Sequence, residues 1–128
     1  LKDKFWHIRV LALGKAAELE GDYAVKGLEI VKGMIENDPK SDVRVAAVAA
    51  IGQLIEDNAA LSALYNKRIT EDRSDSVISI ALSSLSGINP EEALAIAESL
   101  ESEKSSTIIY GISQIYATHG GPDKFEFM

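Results

Sequence analysis

The chain has 128 residues, 20 acidic against 13 basic for a formal net charge of −7, and no cysteine. This length suits one domain that can bury a core without staples, and the missing cysteine excludes a disulfide framework and a thiolate metal site. Scattered basic residues argue against a nucleic-acid partner, which requires a basic face, and apolar runs broken by charge fall short of the roughly 20 apolar positions of a membrane helix.

The pattern predicts helices along the whole chain. The first runs from about Lys4 to Leu19 with Ile8, Leu11, Ala12, Ala16 and Leu19 as its apolar stripe and Phe5 and Trp6 at its entrance. Gly21-Asp22 is expected to end it and to cap the next helix, which carries Ala24, Leu28, Val31 and Ile35. Gly27 and Gly33 weaken that second helix by roughly 1 kcal/mol each relative to alanine, and so mark candidate points of close helix approach.

Pro39 disfavours helix at Asp38, so the chain turns at Asp38 to Lys40. Val43, Ala47, Val48, Ile51 and Leu54 then share one face of a helix, with Ser41 placed to cap it and Asp42 at the positive end of its dipole. Asp57-Asn58 turns the chain again. A helix carrying Leu61, Leu64, Tyr65 and Ile69 follows, then one from Val77 to Leu85.

Asn89-Pro90-Glu91-Glu92 reads as a helix start, with an Asn cap, proline at the first helical position and two carboxylates against the dipole. Leu94, Ala97 and Leu100 are expected on its buried face. The last complete helix spans Thr107 to Ala117, and Gly120-Gly121-Pro122-Asp123 closes it before a new amphipathic segment at Phe125-Glu126-Phe127-Met128.

Four of these helices align. When Ile8, Val43, Val77 and Thr107 are superposed, the next columns read Ala12, Ala47, Ala81 and Gly111, then Leu13, Val48, Leu82 and Ile112, then Ala16, Ile51, Leu85 and Ile115. A small residue precedes a large one each time, as close-packed helices require. Upstream stand the turn residues Asp3, Asp38, Asp72 and Ser102 and the candidate caps Ser41, Asp75 and Ser105, with Trp6 in the cap position of the first unit. The spacings of 35, 34 and 30 residues are those of an α-helical repeat. The expected fold is all-α, a right-handed α-α superhelix of about three and a half helix pairs in a single domain over residues 1–128. The first helix matches the second helix of each later pair. Its partner is therefore expected upstream, and apolar surface near Phe5, Trp6 or Ile8 is expected to be exposed.

No catalytic, cofactor-binding or metal site is readable. His7 and His119 are far apart and neither has a second nitrogen ligand three or four residues on; His119 fits a helix C-terminus. The carboxylate pairs Glu18/Glu20, Asp72/Asp75 and Glu91/Glu92 lie at turns and helix starts. Ser83, Ser84, Ser105 and Ser106 lack a nucleophile-elbow context, and Gly120-Gly121 lacks the lysine of a phosphate loop. Arg44, matched by Arg9 but replaced by Ile78 and Ile108 in the later units, can reach the turn carboxylate of its own or an adjacent unit, Asp38 or Asp72. The other use for it is binding on an inner surface.

The pattern Asp-Pro-x-x-Asp-Val-Arg-x-Ala-Ala-x-x-Ala-Ile over Asp38 to Ile51 resembles the second helix of a HEAT repeat, and the tetratricopeptide pattern Trp-x-x-Leu-Gly-x-x-Tyr is not found. The segments from Leu1 to Arg9 and from Lys104 through Tyr110 to Gly120 are also similar to the C-terminal helical region of bacterial aminopeptidase N-like zinc metallopeptidases (gluzincins). That family's His-Glu-x-x-His is missing, and Gly33-Met34-Ile35-Glu36-Asn37 departs from its Gly-x-Met-Glu-Asn, so no catalytic residue carries over.

This resemblance implies a non-catalytic accessory domain, cut from a larger protein whose zinc lies elsewhere. Such a domain would cap the catalytic domain of the same chain and shape substrate access through an acidic inner face. Its partners would be that domain and peptide substrate. The alternative is a scaffold that binds another protein. Nothing in the sequence assigns a compartment.

Overall fold

The computed structural model describes residues 5–103 and 105–120, and every regular element among them is helical. The chain forms two compact units, one through Glu56 and one from Asp57.

Unit 1 contains α1 (Trp6–Ala17), a 3₁₀ turn (Gly21–Tyr23), α2 (Ala24–Asn37) and α3 (Ser41–Ile51), with each of the three α-helices packed on the other two. Its core is Leu13 and Ala16 of α1, Val31 and Ile35 of α2, and Val43, Ala47, Val48 and Ile51 of α3. Gly27 supplies the close approach expected of it, since a Cβ there would lie 2.3 Å from the Ala16 carbonyl oxygen. Gly33 does not, because nothing lies within 4 Å of its own Cβ position. Gly21, at φ +60, bends the chain into the 3₁₀ turn, and Asp22 lies inside that turn instead of capping α2.

Unit 2 contains α4 (Asn58–Glu71), α5 (Asp75–Ile88), α6 (Pro90–Ser99) and α7 (Ser106–His119). Here α5 is central and packs against α4, α6 and α7. Leu61, Tyr65 and Ile69 of α4 are buried as expected, together with Val77, Ala81, Leu82 and Leu85 of α5. On α6 the buried face is Ala93 and Ala97, with Leu94 and Leu100 only half-buried, because the small side chains occupy the closest contact.

Helix starts divide into two kinds. Asn89 accepts from the Glu92 amide at 3.3 Å and donates to Glu92 Oε2 at 2.9 Å, so the reciprocal cap forms with Pro90 in the first turn. Ser105 caps α7 through the Ile108 amide, and Asp57 caps α4 through the Ala59 amide. Ser41 and Asp75 do not cap. They are the first helical residues of α3 and α5, whose caps are Lys40 and Ser74. The work falls instead to the preceding aspartates: Asp38 accepts from the Lys40 amide at 3.0 Å and Asp72 from the Ser74 amide at 2.9 Å, the same side-chain turn in both units.

Two of the aligned columns are buried in every helix that carries them. Leu13, Val48, Leu82 and Ile112 are all buried, as are Ala16, Ile51, Leu85 and Ile115. In α7 the expected register is one residue early. Ile108 is buried and Thr107 exposed, so the repeat from Val77 is 31 residues long and Ile112 takes the place of the small residue. Asp3, Lys4, Lys104 and everything from Gly121 onward, including Pro122, Asp123 and the segment at Phe125, lie outside the described residues.

Candidate interaction surface

In unit 1 the turn between α2 and α3 is fastened to α1. Arg9 donates from Nε to Asp38 Oδ2 at 2.6 Å and from Nη2 to Oδ1 at 2.8 Å, a two-point grip on a carboxylate whose side chain is only 5% exposed. Arg44 donates to the Asp38 carbonyl at 2.7 Å, and the Lys40 ammonium sits 5.3 Å from the centre of the Trp6 ring. Both arginines of the aligned column are therefore engaged with Asp38, one through its carboxylate and one through its backbone. Arg9 thus reaches the turn carboxylate of the adjacent unit, as an arginine in this column is expected to, and Asp38 is buried.

This is the helix, turn and helix of a recognisable repeat. Residues 28–57 match the HEAT repeat. Comparison with curated proteins and with solved structures gives no match. The chain is an all-α, HEAT-like helical-repeat region, in which α1 is followed by the pairs α2/α3, α4/α5 and α6/α7. Arg44 lies within the matched HEAT repeat. The turn of the next pair keeps the aspartate but draws its cation from another place, since Arg68 on α4 is buried and stands 3.8 Å from Asp72.

Beside the Arg9–Asp38 grip runs an open groove of about 410 Å³, lined also by Ile30, Gly33, Met34, Asn37 and Pro39. Its lining is apolar and both of its charged groups are already paired with each other, so it offers a shape rather than a chemistry.

Unit 2 presents a different surface on its second helices. The exposed side of α5 carries Ser76, Ser83 and Gly87 with half-buried Ile80 between them, and that of α7 carries Thr107, Tyr110, Gln114 and Ala117. Tyr110 is 67% exposed. The two stripes flank a contact in which Gly111 lets the helices meet, its Cβ position being 2.8 Å from Ser79 Oγ. Within α5 the single charge is Asp75 in the first turn, and α7 holds only His119, at its last turn.

Among the described residues of this unit, charge other than Asp75 lies on α4, α6 and the turns, for example Lys67, Glu71, Glu91 and Glu98. The sequence did carry the signal, as the near absence of charge across two helices of a chain with net charge −7. Periodicity reads only the buried side of a helix, and so passes over it.

The remaining candidates stay apart or structural. Ser83 is exposed and Ser84 is hydrogen-bonded to Tyr65 on α4. Glu92 is bound to Asn89 and to Asn66, and Glu101 accepts from the buried Tyr116 hydroxyl. His7 stacks on Trp6 in unit 1, with ring centres 3.6 Å apart, while His119 lies in unit 2. Among the described residues no group of three or more His, Asp or Glu could hold a metal ion, and no helix is long and apolar enough to cross a membrane.

Proposed function

We propose that this chain is a HEAT-like scaffold module that binds a protein partner, and that the charge-free surface of α5 and α7 is where it does so. The observation that carries this reading is the pair of uncharged exposed stripes centred on Tyr110 and Ile80 in a strongly acidic chain. Interface cores are depleted of charge and favour tyrosine, whereas ordinary solvent-facing helix surface is charged. Small side chains around Tyr110 leave room for a partner to approach the helix backbones.

A narrower reading makes the partner the catalytic domain of the same polypeptide, with this region as the cap of an aminopeptidase N-like zinc enzyme. It rests on the sequence resemblance at the two ends of the chain.

One experiment separates them. A photo-crosslinking residue is placed at Tyr110, and as a control at Lys67 on α4, in the natural polypeptide. Adducts to a separate protein that form at Tyr110 but not at Lys67, and that disappear with Ser83→Glu, are the expected result. Adducts confined to a peptidase domain of the same polypeptide would favour the narrower reading. Equal yields at both positions would remove this surface from consideration.

A further inference from the structure

The net charge of −7 is unevenly divided between the two units. Unit 1, through Glu56, has nine acidic against eight basic residues, whereas the sequence from Asp57 onward has eleven against five. Almost all of the excess negative charge therefore belongs to the unit whose α5 and α7 present an uncharged face.

Some carboxylates of unit 2 are used by the fold. Asp72 is buried beside Arg68 and holds the Ser74 amide, Glu92 is held by Asn66 and Asn89, and Glu101 accepts from Tyr116. Others are not. The carboxylates of Asp75, Glu91 and Glu103 are exposed and make no hydrogen bond or ion pair with any described residue.

These three stand at the ends of the uncharged face. Asp75 precedes Ser76 at the start of the α5 stripe, and Glu103 comes two residues before Ser105, the cap of α7. Glu91, in the first turn of α6, follows Gly87 at the far end of α5. Arg73 is the one exposed cation described in the adjoining turns. The face thus has an uncharged middle, around Tyr110 and Ile80, and unpaired carboxylates at its ends. A neutral or acidic partner seated there would press its edges against those carboxylates without relief. Lysine or arginine at the partner's edges would pair with them, and the field of the whole unit would draw such a partner in.

We infer that the occupant of the α5 and α7 face is a basic protein segment, whose uncharged core packs on Tyr110 and Ile80 and whose flanking lysine or arginine residues meet Asp75, Glu103 and Glu91. This rests on that face being the binding surface and adds what the surface selects. The same field repels phosphate-bearing partners.

Random peptides displayed on phage and selected on the 128-residue chain supply the probe. Selection should enrich sequences in which lysine or arginine flanks an uncharged middle. Made synthetically, these peptides should bind about tenfold or more weakly to Tyr110→Ala, which leaves the charge unchanged. They should also weaken by about tenfold when Asp75→Asn, Glu91→Gln and Glu103→Gln are combined. The same loss of charge in unit 1, from Glu20→Gln, Glu29→Gln and Glu56→Gln together, should change little. Added salt should weaken binding to the unmodified chain. Enriched peptides that need Tyr110 but carry no net positive charge, or whose binding ignores salt, would leave the binding face standing and overturn its basic partner. Equal weakening by the two sets of three substitutions would overturn it as well, because the charge of the whole chain would then suffice. If no enriched peptide depends on Tyr110, the face is not the binding surface and both readings fall.

Discussion

Arg9 and Asp38, twenty-nine residues apart, form a two-point charged hydrogen bond that ties α1 to the turn between α2 and α3. The carboxylate also holds the Lys40 amide, so one buried side chain closes the turn and fixes the neighbouring helix to it. Removing it takes a charged acceptor from a partly buried guanidinium and from a turn amide. Asp38→Ala should therefore lower stability by about 2–3 kcal/mol, in the range for lost hydrogen bonds to charged groups, with solvent reaching Arg9 and moderating the loss. Asp38→Asn keeps the turn acceptor and should lose less. Urea unfolding of the two variants checks the order, and equal losses would show that the turn bond alone matters.

The small-residue column makes a sharper test because the same substitution has opposite expectations at equivalent places. Ala47 and Ala81 are fully buried at helix contacts, so Ala47→Leu or Ala81→Leu should overpack and cost about 1–3 kcal/mol. Ala12 occupies the same column on α1 and is exposed, so Ala12→Leu in this chain should leave the unfolding midpoint close to unchanged. A large loss from Ala12→Leu would mean that the α1 face is already covered.

The fold was legible wherever one rule acted alone, and it blurred where two competed. Val43, Ala47, Val48 and Ile51 follow helical spacing with no rival reading, and all four are buried. At Ile108-Ile109-Tyr110 three bulky residues stand in a row, so pattern alone does not say which faces inward, and packing on α5 and α6 selects Ile108. At the starts of α3 and α5 the capping rule favours Ser41 and Asp75, yet Asp38 and Asp72 reach the Lys40 and Ser74 amides from the turn.

The Arg9 pairing was legible only as one of several options, because a column match does not say which repeat's aspartate an arginine will meet. The uncharged surface of α5 and α7 leaves no mark on core periodicity at all. It becomes visible once burial separates the inward residues from the outward ones.

Gly27 and Gly33 sit in one helix and should respond oppositely to alanine. A methyl group at Gly27 runs into the backbone oxygen of Ala16, which cannot turn aside, so α1 and α2 must separate and Gly27→Ala should cost about 1–3 kcal/mol. A methyl group at Gly33 meets nothing within 4 Å, so Gly33→Ala should add up to about 1 kcal/mol by removing helix-interior glycine. Thermal unfolding of both variants should move the midpoint in opposite directions. A loss from Gly33→Ala would indicate that the groove beside it is occupied or strained.

Tyr65 should make stability fall at alkaline pH. Burial pushes its phenol above the usual value of 10.0, and the hydrogen bond to Ser84 offsets only part of that rise. The folded state therefore favours the neutral phenol more strongly than the unfolded chain does. The resulting stabilisation is fully present below about pH 10 and is lost as pH rises through the raised folded value. Tyr65→Phe should abolish this part of the alkaline slope while costing about 1 kcal/mol at neutral pH, where Ser84 loses its partner. Urea unfolding at neutral pH and above pH 10 measures both effects. If the difference between the two proteins is the same at both pH values, the phenol is solvated in the folded state and the packing of α4 on α5 is looser than its burial indicates.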